Sequence, residues 1–361
     1  MDHETTYRQL ARRLDTIPNG YPATDSGVEI QLLARLFTPE QAKLAAVMRL
    51  SPETATAIGE RAGIEPREAR LTLKSMARDG LIGVQRGEHK IVFHLIPFVV
   101  GIYENQIERI DEELANLVER YWVESRGGSA VIGQPAIHRV IPVGEAIPFK
   151  LEVFPYERAS DILEGARSWG VLNCICRTQK RLIGEGCDHQ VENCLVFAPV
   201  AGAFEHSESP RAITKDEALH ILRESADAGL VHSTGNYRDG RTYICNCCTC
   251  CCGILRGVVE FGVPTAIAHS EFQAIVDEDL CAACGQCAER CPFDAVAVDD
   301  EIAAIDVIRC VGCGQCTLVC PTGAISLADR TDVDKIPLPT DRADWMKQLA
   351  ETRGISLADI L

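Results

Sequence analysis

The chain has 361 residues, is 46% hydrophobic and 24% charged, and carries a net charge of −16 and 18 cysteines. That length exceeds what one core usually serves, so several domains are expected, with cores large enough to need no disulfide staples. The acidic balance argues against nucleic acid as the main partner, because phosphate binding needs Lys and Arg; it suits docking on basic patches of redox partner proteins.

The opening MDHETTYRQL has neither the basic nor the apolar region of a secretory signal. The longest apolar run, IVFHLIPFVVGIY (91–103), is too short for a bilayer and is interrupted by His94 and Pro97, so no membrane span is expected. These readings point to a cytoplasmic protein, where cysteine clusters serve as metal ligands or catalytic thiols rather than disulfides.

Residues 1–25 are polar and run into the turn-rich PNGYPATDSG. A helix is expected over VEIQLLARLF, and three more follow. TPEQAKLAAVMRL opens with Thr38 as cap and Pro39 in the first turn. SPETATAIGERAGI repeats that start at Ser51 and Pro52, and EPREARLTLKSMARDGLI is stopped by Asp79 and Gly80. LIGVQRGEHKIVFHLI then reads as two strands around a turn at Gln85, Arg86 and Gly87. Three helices and a hairpin over roughly 38–98 resemble the winged helix-turn-helix. Arg67, Arg70, Lys74 and Arg78 share one face of the third helix. Docking on protein is the favoured use of this module, with DNA contact the alternative. A long helix over 103–124 follows, with apolar spacing suited to packing or to a homodimer.

The middle region begins with LEVFPYERASDILEGARSWGVLNCICR, read as strand, helix and a strand ending at Cys174 and Cys176. ITKDEALHILRESADAGLVH is an amphipathic helix with Thr214 and Glu217 as a capping box. The strand RTYI leads into CNCCTCCCG at 245–253. An α/β layer with cysteines on its loops is expected. Arg177, Lys180, Arg181 and His189 lie beside the first cysteines; they lower thiol pKa values, face an anionic substrate, or face solvent, the last being favoured.

Residues 271–330 hold an internal repeat. CAACGQCAERCP (281–292) and CVGCGQCTLVCP (310–321) share the spacing C-x2-C-x2-C-x3-C-P at an offset of 29. The segment has eleven acidic residues against three basic ones. Gly285 and Gly314 let each loop turn tightly, and Pro292 and Pro321 end each run. Zinc sites usually draw their four ligands from two separated pairs, which this spacing lacks. A helix around ADWMKQLAETRG in the tail is expected to dock on the body.

The repeat resembles bacterial two-cluster ferredoxins. That resemblance implies two [4Fe–4S] clusters with crossed ligands. One takes Cys281, Cys284, Cys287 and Cys320; the other takes Cys310, Cys313, Cys316 and Cys291. Such a region passes single electrons.

Ten cysteines remain: Cys174, Cys176, Cys187, Cys194, Cys245, Cys247, Cys248, Cys250, Cys251 and Cys252. They are candidate metal ligands. Were CNCCTCCC extended, Cys245, Cys247 and Cys251 would share one face and Cys248, Cys250 and Cys252 the other. Each trio could then be completed by the pairs Cys174/Cys176 and Cys187/Cys194, giving one or two additional iron–sulfur clusters. Zinc and free catalytic thiols are the alternatives. The doubled cysteines before Gly253 resemble the CCG motifs of heterodisulfide reductases, without their long spacers. Taken together, NCICR, GCDH, CNCCTCCCGILRG and the twin runs resemble a family of anaerobe 4Fe–4S ferredoxin proteins with an N-terminal winged-helix-like region.

The expected fold class is α+β and multidomain: a winged-helix-like domain over 1–128, a Cys-rich α/β domain over 129–270, a two-cluster ferredoxin domain over 271–330 and a docking tail over 331–361. No dinucleotide fingerprint or P-loop is present. The expected role is an iron–sulfur electron-transfer protein, or the electron-transfer component of an anaerobic oxidoreductase. A redox- or oxygen-sensing winged-helix regulator and a reductase using the central cysteines are the two alternatives.

Overall fold

The structure, a computed structural model, describes residues 3–87, 90–131, 133–146, 158–207, 209–299, 301–330 and 338–361. Contacts divide the chain into two compact units. One joins Met1–Gln134, Thr178–Gly186 and Met346–Leu361; the other joins Pro135–Arg177 and Cys187–Trp345. Helix and strand are mixed, as in an α+β protein. Among the described residues no helix is long and apolar enough to cross a membrane.

The first unit starts with α1 (His3–Asp15), in a stretch that reads as merely polar. Tyr7, Leu10, Ala11 and Leu14 recur at helical spacing within it and are buried. Helix α2 (Val28–Leu36) packs beside it. Helix α3 (Pro39–Ala45) begins with a full capping box: Thr38 Oγ1 accepts from the Gln41 N–H, and Gln41 Oε1 accepts from the Thr38 N–H. Helix α4 (Ala55–Ala62) is capped by Thr54, not Ser51. The reason is Glu53, whose backbone bridges to Phe93 and so stays extended. Helix α5 (Pro66–Arg78) stops at Asp79 and Gly80. Strands β1 (Gly83–Arg86) and β2 (Ile91–His94) pair antiparallel. Gln85 and Arg86 therefore lie inside β1 and the turn comes later; Glu88 and His89 fall outside the described residues.

The long helix expected over 103–124 is a correction. Helix α6 runs only from Glu112 to Glu124. Asp111 is extended and its carboxylate accepts from the Leu114 N–H, which starts a new helix there. Its apolar face, including Leu114, Val118 and Trp122, is buried within the protein.

The second unit is built on a six-stranded sheet of order β3-β7-β8-β5-β4-β6, antiparallel at every pairing. The strands are β3 (His138–Ile141), β4 (Ser168–Asn173), β5 (Glu192–Ala198), β6 (Arg211–Ile213), β7 (Val231–Gly235) and β8 (Tyr243–Cys247). Helices α7 (Ala159–Glu164) and α9 (Lys215–Asp227) cover one face; α8 (Ile175–Leu182) follows β4. On the covered face Val171, Leu195, Phe197 and Ile244 pack against Leu163, Ala218, Ile221 and Leu222. Strand alternation sends Cys194, Cys245 and Cys247 to the opposite face. These cysteines are therefore on strands rather than on loops. Thr214 caps α9 by accepting from the Glu217 N–H, while the Glu217 carboxylate pairs with Arg211 at 2.9 Å. The first strand expected in LEVFPYERASDILEGARSWGVLNCICR lies outside the described residues.

Helix α10 (Gly253–Val259) leads toward the repeat. There β9 (Phe272–Val276) pairs with β12 (Ile325–Asp329), and β10 (Val296–Val298) with β11 (Ala303–Ile305), all antiparallel. Helix α11 (Gln286–Arg290) sits between β9 and β10. Helix α12 (Arg342–Thr352) forms the tail. Past it, the Arg353 guanidinium donates to the carbonyls of Ile17 and Pro18 at 2.8 and 2.9 Å.

Candidate metal centres

The two halves of the repeat surround two cavities. One is lined by Cys281, Cys284, Cys287 and Cys320. The other is lined by Cys291, Cys310, Cys313 and Cys316. Each thus takes three cysteines from one run and the last cysteine of the other. Gly285 and Gly314 have φ of 79° and 78°, which a side chain would strain. Backbone amides point at the sulfurs: Ala303 N–H donates to Cys281 Sγ at 3.4 Å and Ala295 N–H to Cys291 Sγ at 3.3 Å.

The cavities differ in depth. Cys284 is exposed, and Cys281 and Cys320 are half-buried, whereas Cys310, Cys313 and Cys316 are all buried. Burial and the neighbouring Cys310 push Cys316 up to about 12, and burial raises Cys313 well above its ordinary value. Burial opposes ionisation of Cys320 as well, yet donors from the Ile325 N–H and the Thr322 hydroxyl bring it below its ordinary value. Thiols this buried are stable as thiolates only with a cation among them. The donor set, four cysteines around each cavity, fits a cluster there.

The ten central cysteines separate into a four and a six. Cys187, Cys248, Cys250 and Cys251 bring their sulfurs within 4.8 Å of one another. Leu230 packs on this group. The other six form a closed ring of thiol–thiol contacts running Cys174, Cys176, Cys252, Cys247, Cys245, Cys194 and back to Cys174. The extended-chain expectation holds only as far as β8, where Cys245 and Cys247 share a face. A turn after Cys247 then sends Cys248, Cys250 and Cys251 to the four and returns Cys252 to the ring. Cys187 and Cys194, expected as a pair, go to different groups.

Arg177 links the two groups. Its side chain is fully buried, not solvent-facing. Nη1 donates to the Gln190 carbonyl and to Asn193 Oδ1, and Nη2 donates to the Asn246 carbonyl at 2.6 Å. Nε is buried without a hydrogen-bond partner. Burial works against its charge, but the sulfurs of Cys174, Cys248 and Cys247 raise its pKa above the ordinary value. Thiol donors at Cys250 and Cys251, together with Arg177, draw Cys248 well below the ordinary thiol value. Lys180 is buried too, paired with Glu119 at 3.1 Å and with Glu185 at 2.5 Å, while Arg181 is exposed.

Four further residues escaped the sequence reading. Tyr243 Oη and His138 Nε2 are hydrogen-bonded at 2.9 Å, His138 Nδ1 and Ser233 Oγ at 3.3 Å, and Ser233 Oγ and Cys247 Sγ at 3.9 Å. This line ends at the six-cysteine ring. Gln315, fully buried, ties the ferredoxin repeat to Leu230, which packs on the four-cysteine group, through the Leu230 carbonyl at 2.7 Å. These contacts join residues up to 105 apart in sequence, and no local motif marks them.

Residues 273–321 match the family model described as a 4Fe-4S dicluster domain. No curated protein and no solved structure matches the chain. The match and the two four-cysteine cavities make this region a 4Fe–4S ferredoxin-type segment that binds iron–sulfur clusters and supports electron transfer.

Proposed function

We propose that the chain is an electron-transfer protein, or the electron-transfer subunit of an anaerobic oxidoreductase, with two ferredoxin-type clusters and one further iron–sulfur centre on the six-cysteine ring. The observation that carries this reading is the crossed lining of the two cavities. Cys281, Cys284, Cys287 and Cys320 hold one [4Fe–4S] cluster; Cys310, Cys313, Cys316 and Cys291 hold the other. When bound, such clusters accept and release single electrons. The half-exposed first site is the side a redox partner reaches, since Cys284 lies at the surface. The second is enclosed beside Gln315 and so faces the central cysteines. The helices α3 to α5 with the β1–β2 hairpin form a winged-helix-like module that docks on protein, and the cytoplasm is the working compartment.

The test is iron content. Two ferredoxin clusters account for about eight irons. Protein purified without oxygen holds clearly more than that per chain, and a value at or below eight removes the further centre. A second reading makes the ring an active site. The line Tyr243, His138 and Ser233 favours it, because a hydrogen-bonding side-chain line is what a bond-making site uses and a simple wire does not need.

A further inference from the structure

The four-cysteine group differs in kind from the sets around the ferredoxin cavities. Its sulfurs stand 3.8 Å apart between Cys187 and Cys248, 3.6 Å between Cys251 and Cys187, and 3.7 Å between Cys250 and Cys251. A single ion bound tetrahedrally by four thiolates at about 2.3 Å sets its sulfurs about 3.8 Å apart along each edge. In a cubane each thiolate binds its own iron at a separate corner, so the inorganic core holds the four sulfurs well beyond that spacing. A two-iron cluster likewise separates the sulfurs on its two irons. Among the described residues this is the one group of three or more potential ligands drawn so close. The ferredoxin cysteines, by contrast, surround open cavities.

We propose that Cys187, Cys248, Cys250 and Cys251 hold one zinc ion in a closed tetrahedral site rather than an iron–sulfur cluster. The local chain suits this. A tight turn, closed by the Cys252 N–H donating to the Cys248 carbonyl at 3.2 Å, puts three sulfurs on one face of the tetrahedron. Cys187, 61 residues from Cys248, supplies the fourth from the segment after α8. Four thiolates are one of the usual sets of structural zinc sites, and they leave no open position. One divalent ion leaves the group with two negative charges, and buried charge needs a partner. Arg177 provides it: a fully buried guanidinium beside Cys248, with Nε unpartnered. The ion pins the loop that starts α10 to Cys187. It has no redox role of its own, so the electron-carrying centre of the middle region is the ring.

The experiment counts zinc and iron separately in the full chain purified without oxygen, for the wild type and for Cys250→Ala, the exposed member of the four. One zinc per chain in the wild type, lost in the variant while iron and the iron–sulfur absorption stay unchanged, is the expected result. Loss of iron instead, or no change in either metal, overturns the proposal. Should the variant fail to fold, X-ray absorption at the zinc edge of the wild type decides. Four sulfur neighbours at about 2.3 Å and no metal neighbour support the site, and absence of zinc overturns it. The count of irons above eight tests the ring independently of either outcome.

Discussion

Gln315 Nε2 donates to the Leu230 carbonyl at 2.7 Å, and its Oε1 accepts from Arg290 Nε at 3.0 Å. Gln315 lies between Cys313 and Cys316 of the enclosed cavity, and Leu230 packs on Cys248 and Cys251. One buried amide therefore joins the ferredoxin scaffold to the residue that packs on the four-cysteine group. Arg290 strengthens the junction by donating to the Ala226 and Asp227 carbonyls at 2.6 and 2.7 Å.

Gln315→Leu leaves the buried Leu230 carbonyl and the half-buried Arg290 Nε without this partner. The expected cost is about 1–3 kcal/mol. Urea denaturation measures it, and an unchanged visible spectrum at low urea shows that the clusters proposed for the ferredoxin segment are retained.

The crossed lining predicts a swap. Cys291→Ser weakens the cluster that shares its cavity with Cys310, Cys313 and Cys316, although Cys291 belongs to the first run. Cys320→Ser weakens the other. Paramagnetic resonance of the reduced protein should show a different signal lost in each, with signals of the ring nearly intact. Loss of the same signal in both variants contradicts the assignment.

Arg177 is the buried cation between two cysteine groups, beside Cys174, Cys247 and Cys248, whose pKa values are lowered, so Arg177→Met removes one partner of a buried charge set. The expected destabilisation is about 3–5 kcal/mol. Denaturation measures it, and metal analysis should show reduced retention at both central groups while the ferredoxin iron is kept.

His138 is buried against Tyr243 and Ser233, and burial lowers its pKa to about 4 from 6.5. At pH above 6.5 it is neutral folded or unfolded, and stability is complete. As pH falls from 6.5 towards 4, the unfolded chain takes up the proton first, so stability is lost progressively, by up to about 3 kcal/mol. His138→Gln removes this part of the acid sensitivity, which thermal unfolding between pH 7 and pH 4 reads directly.

The basic face of α5 is exposed at Arg67, Arg70, Lys74 and Arg78. If the module docks on protein, replacing Arg67, Arg70 and Lys74 by alanine leaves retention on non-specific duplex DNA unchanged. Sub-micromolar binding of a defined duplex by the wild type, with a steep salt dependence, favours the regulator instead.

Sequence alone determined the ferredoxin-type segment, because its spacing is local: three thiols within seven residues line one cavity by the geometry of the loop. Helix starts with a local cap, such as Thr38 and Thr214, were legible for the same reason. The start of α4 was not, since Glu53 is held by Phe93 from another part of the chain. The division of the ten central cysteines belonged wholly to the tertiary structure. Alternation along β8 is a local rule, but the turn after Cys247 ends it, and the remaining choices depend on which strands lie side by side. Cys194 joins Cys245 because β5 pairs with β8, and Cys187 meets Cys251 although 64 residues separate them. Arg177 shows the same limit most sharply. Read locally it is a cation on a polar helix; folded, it is sealed between two groups of sulfur, because only the packed sheet brings Asn193, Asn246 and Cys248 to its side.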